Sequence, residues 1–221
     1  MRLIAAAMDA SDPNRPALST LAKWVTLRKC GACLMGAPIH PSKAAVFPPR
    51  PFEDHAPGTV LYLDGLGKYP AYPVQADGTT TGILLSDRGS THVAFHSLRD
   101  TMSSTIIARL QRYQATSKVH IKQIITDPEF YTDEIQAWCD SNGPGTQLTS
   151  AAPRAQHQNN LSEISVGKVK SRARAVRIGG AVNERHLSAA YAYAVEALNR
   201  TPSSCDPTGA HRSPNQIWAD H

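Results

Sequence analysis

Three carboxylates beside apolar segments constrain this chain more than any other feature of its sequence. Asp64 lies inside the apolar run of residues 60–66, and Asp127 ends a second such run that begins at residue 119. Glu163 follows, with 35 residues between it and Asp127, and it opens a basic segment with a helical pattern. A charge in or next to a buried strand is costly unless something uses it. Three such acids suit Mg²⁺, a hard cation that takes carboxylate oxygens.

The chemistry that such a site indicates is phosphoryl transfer on a nucleic acid. Two ions held between carboxylates can activate water or a 3′ hydroxyl and stabilise the leaving oxygen of one phosphodiester. Any single aspartate at a strand end has an ordinary alternative, because many of them cap helices or form turns. The three acids together are a stronger indication, because their spacing and flanking residues agree.

The net charge of +5 is concentrated in one segment. Residues 154–177 hold six basic side chains and one acid, so their excess of five equals that of the whole chain. The six are Arg154, Lys168, Lys170, Arg172, Arg174 and Arg177. A basic stripe beside a carboxylate site is what a polyphosphate substrate needs. The alternative is a solvated helix face without a ligand.

Helix geometry relates this basic stripe to Glu163. A step of 100° per residue places Lys170, Arg174 and Arg177 within roughly 40° of Glu163, so we expect these three cations to bind DNA phosphates. Gly167 lies on the same side, where its missing side chain allows another backbone to approach. An apolar stripe about 100° away is expected to face a sheet, and it consists of Val166, Val169, Ala173 and Val176.

The hydrophobic pattern predicts an α/β fold. We expect strands at residues 59–66, 82–87, 92–98, 120–126 and 146–150, and helices at residues 102–114, 131–141, 159–176 and 184–199. Three strands that can form a meander, followed by alternating helices and strands, predict a mixed sheet covered by helices. Asp87-Arg88-Gly89-Ser90 is typical of a turn between the second and third strands.

These residues and their spacing resemble the integrase catalytic core of retroviruses and copia-type retrotransposons, a family within the ribonuclease H-like superfamily. The resemblance covers about residues 30–218, and its last stretch includes a Pro-x-x-x-Trp ending at Pro214 and Trp218. It implies a ribonuclease H-like mixed five-stranded sheet flanked by helices. It also implies Mg²⁺- or Mn²⁺-dependent polynucleotidyl transfer that joins the DNA ends of an element to target DNA.

The resemblance assigns roles to individual residues. Asp64, Asp127 and Glu163 are expected to be the catalytic metal ligands. Gln158 and Asn159, in a Pro-x-x-x-x-x-Asn pattern, are expected to touch DNA near the reacting end, where amides can donate to phosphates and read base edges. DNA and further copies of the chain are the expected partners.

Two motifs depart from the family pattern. The usual Asp-x-Gly-x-Glu-Phe is shortened here to Asp127-Pro128-Glu129-Phe130, in which Pro128 favours an extended backbone at Asp127. The family commonly has an arginine after the glutamate, whereas this chain has Ile164. A second hypothesis therefore stays open, in which the chain is a decayed or host-adopted integrase fragment that binds nucleic acid without catalysis.

Cys30 and Cys33 resemble half of the zinc site that precedes the core in this family. The family supplies two histidines upstream, but here His40 and His55 both follow the cysteines. A structural zinc needs four ligands, so we do not expect zinc to bind. We interpret residues 1–57 as a truncated remnant of the zinc region with a proline-rich linker, and residues 58–221 as the catalytic core of a polyprotein fragment.

Composition excludes several other classes of protein. A chain of 221 residues can bury one good core. It has no apolar run of 18 residues and no secretory signal, so we expect no membrane span and a location in the nucleus or cytoplasm.

A ribonuclease H nuclease is a rival interpretation on the same fold. Such enzymes usually carry a catalytic glutamate on the first helix, but residues 102–114 contain no acid, which argues against this class.

Overall fold

A computed structural model describes residues 55–69, 75–150, 160–202 and 212–220. The strands are β1 (Val60–Lys68), β2 (Thr81–Asp87), β3 (Val93–Leu98), β4 (Gln123–Thr126) and β5 (Gln147–Ser150). The helices are α1 (Ser103–Ser117), α2 (Asp133–Ser141), α3 (Asn160–Gly179), α4 (Leu187–Asn199) and α5 (Pro214–Ala219). Short 3-10 turns at Pro128–Phe130 and Glu184–His186 precede α2 and α4.

All five strands form one mixed sheet in the order β3-β2-β1-β4-β5. The first three strands form an antiparallel meander, because β1 pairs with β2 and β2 with β3 in opposite directions. The other half of the sheet is parallel, since β4 runs alongside β1 and β5 alongside β4. The predicted mixed five-stranded sheet flanked by helices is therefore confirmed.

Helices cover both faces of the sheet. One face packs against α1 and α2, whose buried side chains include Ile106, Leu110 and Ile135. The other face packs against α3 and α4 through a second cluster of buried side chains. The predicted apolar stripe of α3 faces this second cluster, with Val169 and Ala173 buried in it. Packing of this stripe sets the rotation of α3 over the sheet.

The predicted turn between β2 and β3 forms, and it is built around a buried carboxylate. Asp87 is fully buried and accepts hydrogen bonds from the backbone N–H of Gly58 at 2.8 Å and from that of Ser90 at 2.6 Å. The Ser90 hydroxyl donates a third bond at 2.5 Å. Burial raises the pKa of Asp87 in spite of these donors. Because its hydrogen bonds tie the turn to the start of β1, the role of this carboxylate is structural.

Several boundaries differ from those predicted. β4 begins at Gln123 instead of residue 120, because the backbone N–H of Lys122 bonds to the carbonyl of Thr59, which precedes β1. The predicted helix at residues 184–199 begins as a 3-10 turn, capped by the side chain of Asn183. α5 was not predicted, and a capping box between Ser213 and Gln216 fixes its start.

Some predictions fall outside the described residues. Cys30, Cys33, Gln158 and Asn159 are among them, so the zinc half-site and the two amide contacts to DNA stay predictions. The division of the chain after residue 57 also stays a prediction. Within the ranges that the structure describes, no helix is long and apolar enough to cross a membrane.

Candidate active site

The parallel pairing of β1 and β4 brings Asp64 and Asp127 together. The last register pair of these strands is Leu63 with Thr126, and the two aspartates are the residues that follow this pair: Asp64 within β1 and Asp127 directly after β4. Asp127 has an extended backbone (φ −70°, ψ 156°), as Pro128 predicts for the residue before it. The two carboxylates interact, since the charge of Asp127 helps to raise the pKa of Asp64.

The partly buried environment of Asp64 contains groups that disfavour its negative charge and groups that stabilise it. Burial is the main cause that raises the pKa of Asp64, and repulsion from Asp127 adds to it. Three groups act in the opposite direction: the hydroxyl of Ser162 and the backbone N–H of Gly65 donate hydrogen bonds, and Lys170 attracts the charge. Two of these groups belong to α3, so this helix contributes to the site through its side chains.

Glu163 lies next to this pair but does not join it. The side chain of Ser162 points into the protein and is 1% exposed, whereas Glu163, about 100° further round α3, is exposed. Among the described residues, no group of three histidines, cysteines or acids is arranged to hold a metal ion. The structure therefore brings Asp64 and Asp127 together, whereas the role of the exposed Glu163 in the site stays a prediction.

The cations of α3 differ in their contacts: some are exposed, and others bind neighbouring side chains. Lys170 and Arg174 are exposed. Arg177 forms an ion pair with Glu184 at 2.6 Å, and the partly buried Arg172 donates to the hydroxyl of Thr201 at 3.3 Å. Lys170 and Arg174 are consequently the cations of α3 that are best placed to meet a phosphate backbone near Asp64.

One contributor to the site was missed by the sequence reasoning. Ser162 was treated only as a residue before Glu163, and its contact with Asp64 depends on how α3 packs. Glu129 lies on the other side of the sheet: a Cβ added to Gly65 would be 3.3 Å from Glu129 Oε1 and close to Phe130, which packs in the cluster under α1 and α2.

The chemistry of the pair fits one side of a divalent-cation site. Two partly buried carboxylates that repel each other are stabilised by a cation between them, and carboxylate oxygens are the ligands that Mg²⁺ and Mn²⁺ take. A cleft of ≈ 350 Å³ lies elsewhere, where Gln114, Lys118 and Trp138 line a space before the start of β4. The cleft is therefore separate from the carboxylates, which lie where β4 ends.

The sheet order, the helices on both faces and the paired aspartates define an α/β protein with the ribonuclease H-like fold of integrase catalytic cores. A chain in the simian T-cell lymphotropic virus intasome in complex with PP2A regulatory subunit B56 gamma is similar, with a TM-score of 0.58 and 17% identity. The match covers 73% of this chain and 54% of that chain, so it spans about half the length of the viral chain.

Isolated catalytic cores match over nearly their whole length. The BIV integrase core has a TM-score of 0.53 and 16% identity, covering 73% of this chain and 94% of that one. The HTLV-2 core in complex with magnesium, in its dimeric form, has a TM-score of 0.54 and 17% identity, covering 75% and 99%. No protein-family model and no curated protein sequence matches the chain. Identities this low show the fold alone, and copia-type ancestry stays a prediction.

Proposed function

We propose that this chain is an integrase-type catalytic core, which uses Mg²⁺ or Mn²⁺ to join the DNA ends of an element to target DNA. The observation that carries the proposal is the interacting pair Asp64 and Asp127, at the point where two adjacent parallel strands bring both acids to one edge. The pair occurs in a fold shared with integrase cores, one of which is described in complex with magnesium. A divalent ion at this place supplies an activated water or 3′ hydroxyl and stabilises the leaving oxygen.

Residues around the pair have separate tasks in this proposal. Asp64 and Asp127 hold the ion, and Ser162 keeps the carboxylate of Asp64 oriented. Glu163, exposed on the first turn of α3 one residue after Ser162, completes the ligand set only once a bound ion draws its side chain toward the pair. Lys170 lies within roughly 20° of Glu163 around the helix, and it holds a phosphate next to the ion.

DNA binding and self-association belong to the same proposal. The exposed Lys170 and Arg174 meet the phosphate backbone, and Gln158 and Asn159 touch the reacting DNA end. The HTLV-2 cores that resemble this chain are described in dimeric and trimeric forms. These neighbours support a homo-oligomer for this chain too, because joining two DNA ends to one target calls for more than one active site.

One observation favours a second candidate function, a fragment that binds nucleic acid without catalysis. Asp64 already has a hydrogen bond from Ser162 and the attraction of Lys170, while Glu163 points outward. These two groups offset part of the cost of the Asp64 charge without a metal ion. In this second candidate the basic face of α3 still binds phosphates, but no bond is made or broken.

The experiment that separates the two is a cleavage and strand-joining assay on matched DNA ends with Mg²⁺ or Mn²⁺. Under the catalytic proposal the wild-type chain forms joined products, and Asp64→Asn abolishes them because a metal ligand is lost. Asp140→Asn is the matched control, since Asp140 is an exposed aspartate of α2 that accepts a hydrogen bond from Gln136, and it should leave the products unchanged. Folded wild-type protein that binds DNA but forms no product with either ion would support the non-catalytic candidate.

A further inference from the structure

A second basic surface lies on the opposite face of the sheet from Asp64. It consists of Arg109 and Arg112 on α1 and of His96 on β3, and we refer to it as the α1 surface. His96 lies on the face of the sheet that α1 covers, and the charges of both arginines help to lower its pKa. Arg109 and Arg112 are three residues apart, so they share one side of their helix.

The strand register relates the α1 surface to the candidate active site. His96 pairs with Ile83, and Ile83 pairs with Gly65, so His96 is level with the residue after Asp64. It lies two strands away, which is about 10 Å across the sheet. Side chains alternate along each strand: Leu98 packs in the cluster under α1, so His96 shares that face, whereas Asp64 lies on the face covered by α3.

The α1 surface has an unbalanced positive charge. α1 contains no acid, and among the described residues neither Arg109 nor Arg112 forms an ion pair or a hydrogen bond through its side chain. Asp100, just before α1, accepts hydrogen bonds from Thr105 and from the backbone of Met102. Cations grouped in this way repel one another, so an anion between them would be stabilising.

His96, on the same face of the sheet as α1, has an unused hydrogen-bonding atom. Its ring is largely buried, and its Nε2 atom has no hydrogen-bond partner in the part of the chain that the structure describes. Burial lowers the pKa of His96 to about 4, and the two arginines contribute to this lowering. A phosphate oxygen drawn between the arginines would balance their charge and, after a small shift of their side chains, would give the Nε2–H tautomer of His96 a hydrogen-bond partner.

We infer that the α1 surface, formed by His96, Arg109 and Arg112, binds the phosphate backbone of a nucleic-acid segment that does not enter the carboxylate site. The inference rests on the proposed function in taking nucleic acid as the ligand, since the basic face of α3 lies on the other side of the same sheet. Arginine forks match phosphate oxygens in pairs, which favours a phosphodiester over a diffuse counterion. An acidic protein segment is the competing ligand class.

The test compares the salt dependence of duplex DNA binding in three double variants. Arg109→Gln/Arg112→Gln keeps the length of the side chains and removes the charges of the α1 surface. Lys170→Ala/Arg174→Ala removes those of the α3 face. Lys122→Ala/Arg200→Ala is the charge-matched control, because both residues are exposed and lie outside the two surfaces. Each lost phosphate contact should reduce the slope of log K against log salt by about 0.9, so each test variant should lose about 1.8.

The outcomes separate this inference from the proposed function. A reduced slope in both test variants, with the control unchanged, is the expected result. A reduction only for the α3 variant would overturn the inference and leave the proposed function standing, whereas no reduction for either would count against both. Fluorescent poly-glutamate serves as the second probe: if the α1 variant loses poly-glutamate binding but keeps the DNA slope, the ligand is an acidic protein and the inference is wrong. Equal thermal unfolding of all variants shows that the fold is intact.

Discussion

The hydroxyl of Ser162 donates a hydrogen bond to the carboxylate of Asp64, which ties the first turn of α3 to β1. Ser162 is 1% exposed, so this bond is shielded from water. A hydrogen bond to a charged group in such a place is worth more than one between neutral groups. The contact orients one carboxylate of the pair, and it sets the position of Glu163, the next residue along the helix.

Ser162→Ala should therefore destabilise the protein by about 1–3 kcal/mol at neutral pH, because the charge of Asp64 loses a donor in a partly buried place. The loss should become smaller as acid protonates Asp64. Ser165→Ala is the matched control in the same helix: Ser165 is also buried, but its hydroxyl bonds to the carbonyl of Leu161 within the helix. Urea unfolding at several pH values measures both variants, and equal losses in the two would contradict this role for Ser162.

Asp64→Asn should stabilise the metal-free protein, since the raised pKa of Asp64 means that the fold disfavours its charge. A carboxylate whose folded pKa exceeds its unfolded pKa lowers the free energy of unfolding as pH rises from the unfolded to the folded pKa. Asparagine carries no charge, so the variant avoids this loss. In the presence of Mg²⁺ the wild type should instead be more stable than Asp64→Asn. At 100 times its Kd the ion adds about 2.7 kcal/mol to the wild type and nothing to the variant.

Thermal unfolding with and without Mg²⁺ measures this reversal, with Asp140→Asn as the control that keeps the metal effect. If Mg²⁺ stabilised wild type and Asp64→Asn equally, Asp64 would not be a ligand.

Lys170→Ala/Arg174→Ala should weaken binding to all DNA sequences alike, because both cations are expected to meet phosphates and not base edges. The slope of log K against log salt should fall by about 1.8. Fluorescence anisotropy with two unrelated duplexes measures it. Should the loss depend on the duplex sequence, the two residues would instead read bases.

Acid should destabilise the fold through two buried histidines. Burial lowers the pKa of His92 to about 4, and that of His96 to about 4 as well. Since unfolding returns each pKa to its ordinary value near 6.5, the unfolded state binds more protons between pH 6.5 and 4, and stability is lost as pH falls through this window. A shift of that size corresponds to about 3 kcal/mol per histidine.

The measurement is the urea midpoint between pH 4 and pH 7. His96→Gln should lose part of the pH dependence, whereas the exposed His186, changed to glutamine, should not. Because the raised pKa values of Asp64 and Asp87 act in the opposite direction, the comparison is with the variant: equal pH dependence in the wild type and in His96→Gln would contradict this role for His96.

The strands and the paired aspartates were predictable for local reasons. Apolar runs at β1 and β4 are buried in the structure, and Pro128 holds Asp127 extended at the strand end as expected. The period of the apolar residues in α3 predicted which side meets the sheet, and Val169 and Ala173 are buried there. These features depend on residues that are neighbours in the chain, so they can be predicted from the local sequence.

The details of the site depend on packing between elements distant in sequence. The rotation of α3 directs Ser162 toward Asp64, a contact that the 35-residue spacing did not predict. The α1 surface combines residues of β3 and α1, and packing in the hydrophobic core fixes the position of this helix over the strand. None of these contacts has a signature in local periodicity.

The most direct measurement of the central claim is anomalous X-ray diffraction from crystals of the chain soaked in Mn²⁺. The account predicts an anomalous peak bound by carboxylate oxygens of both Asp64 and Asp127, at about 2.1–2.2 Å, and no such peak in Asp64→Asn crystals. A fully soaked crystal with no peak between the two aspartates, or with manganese held elsewhere without them, would contradict the account.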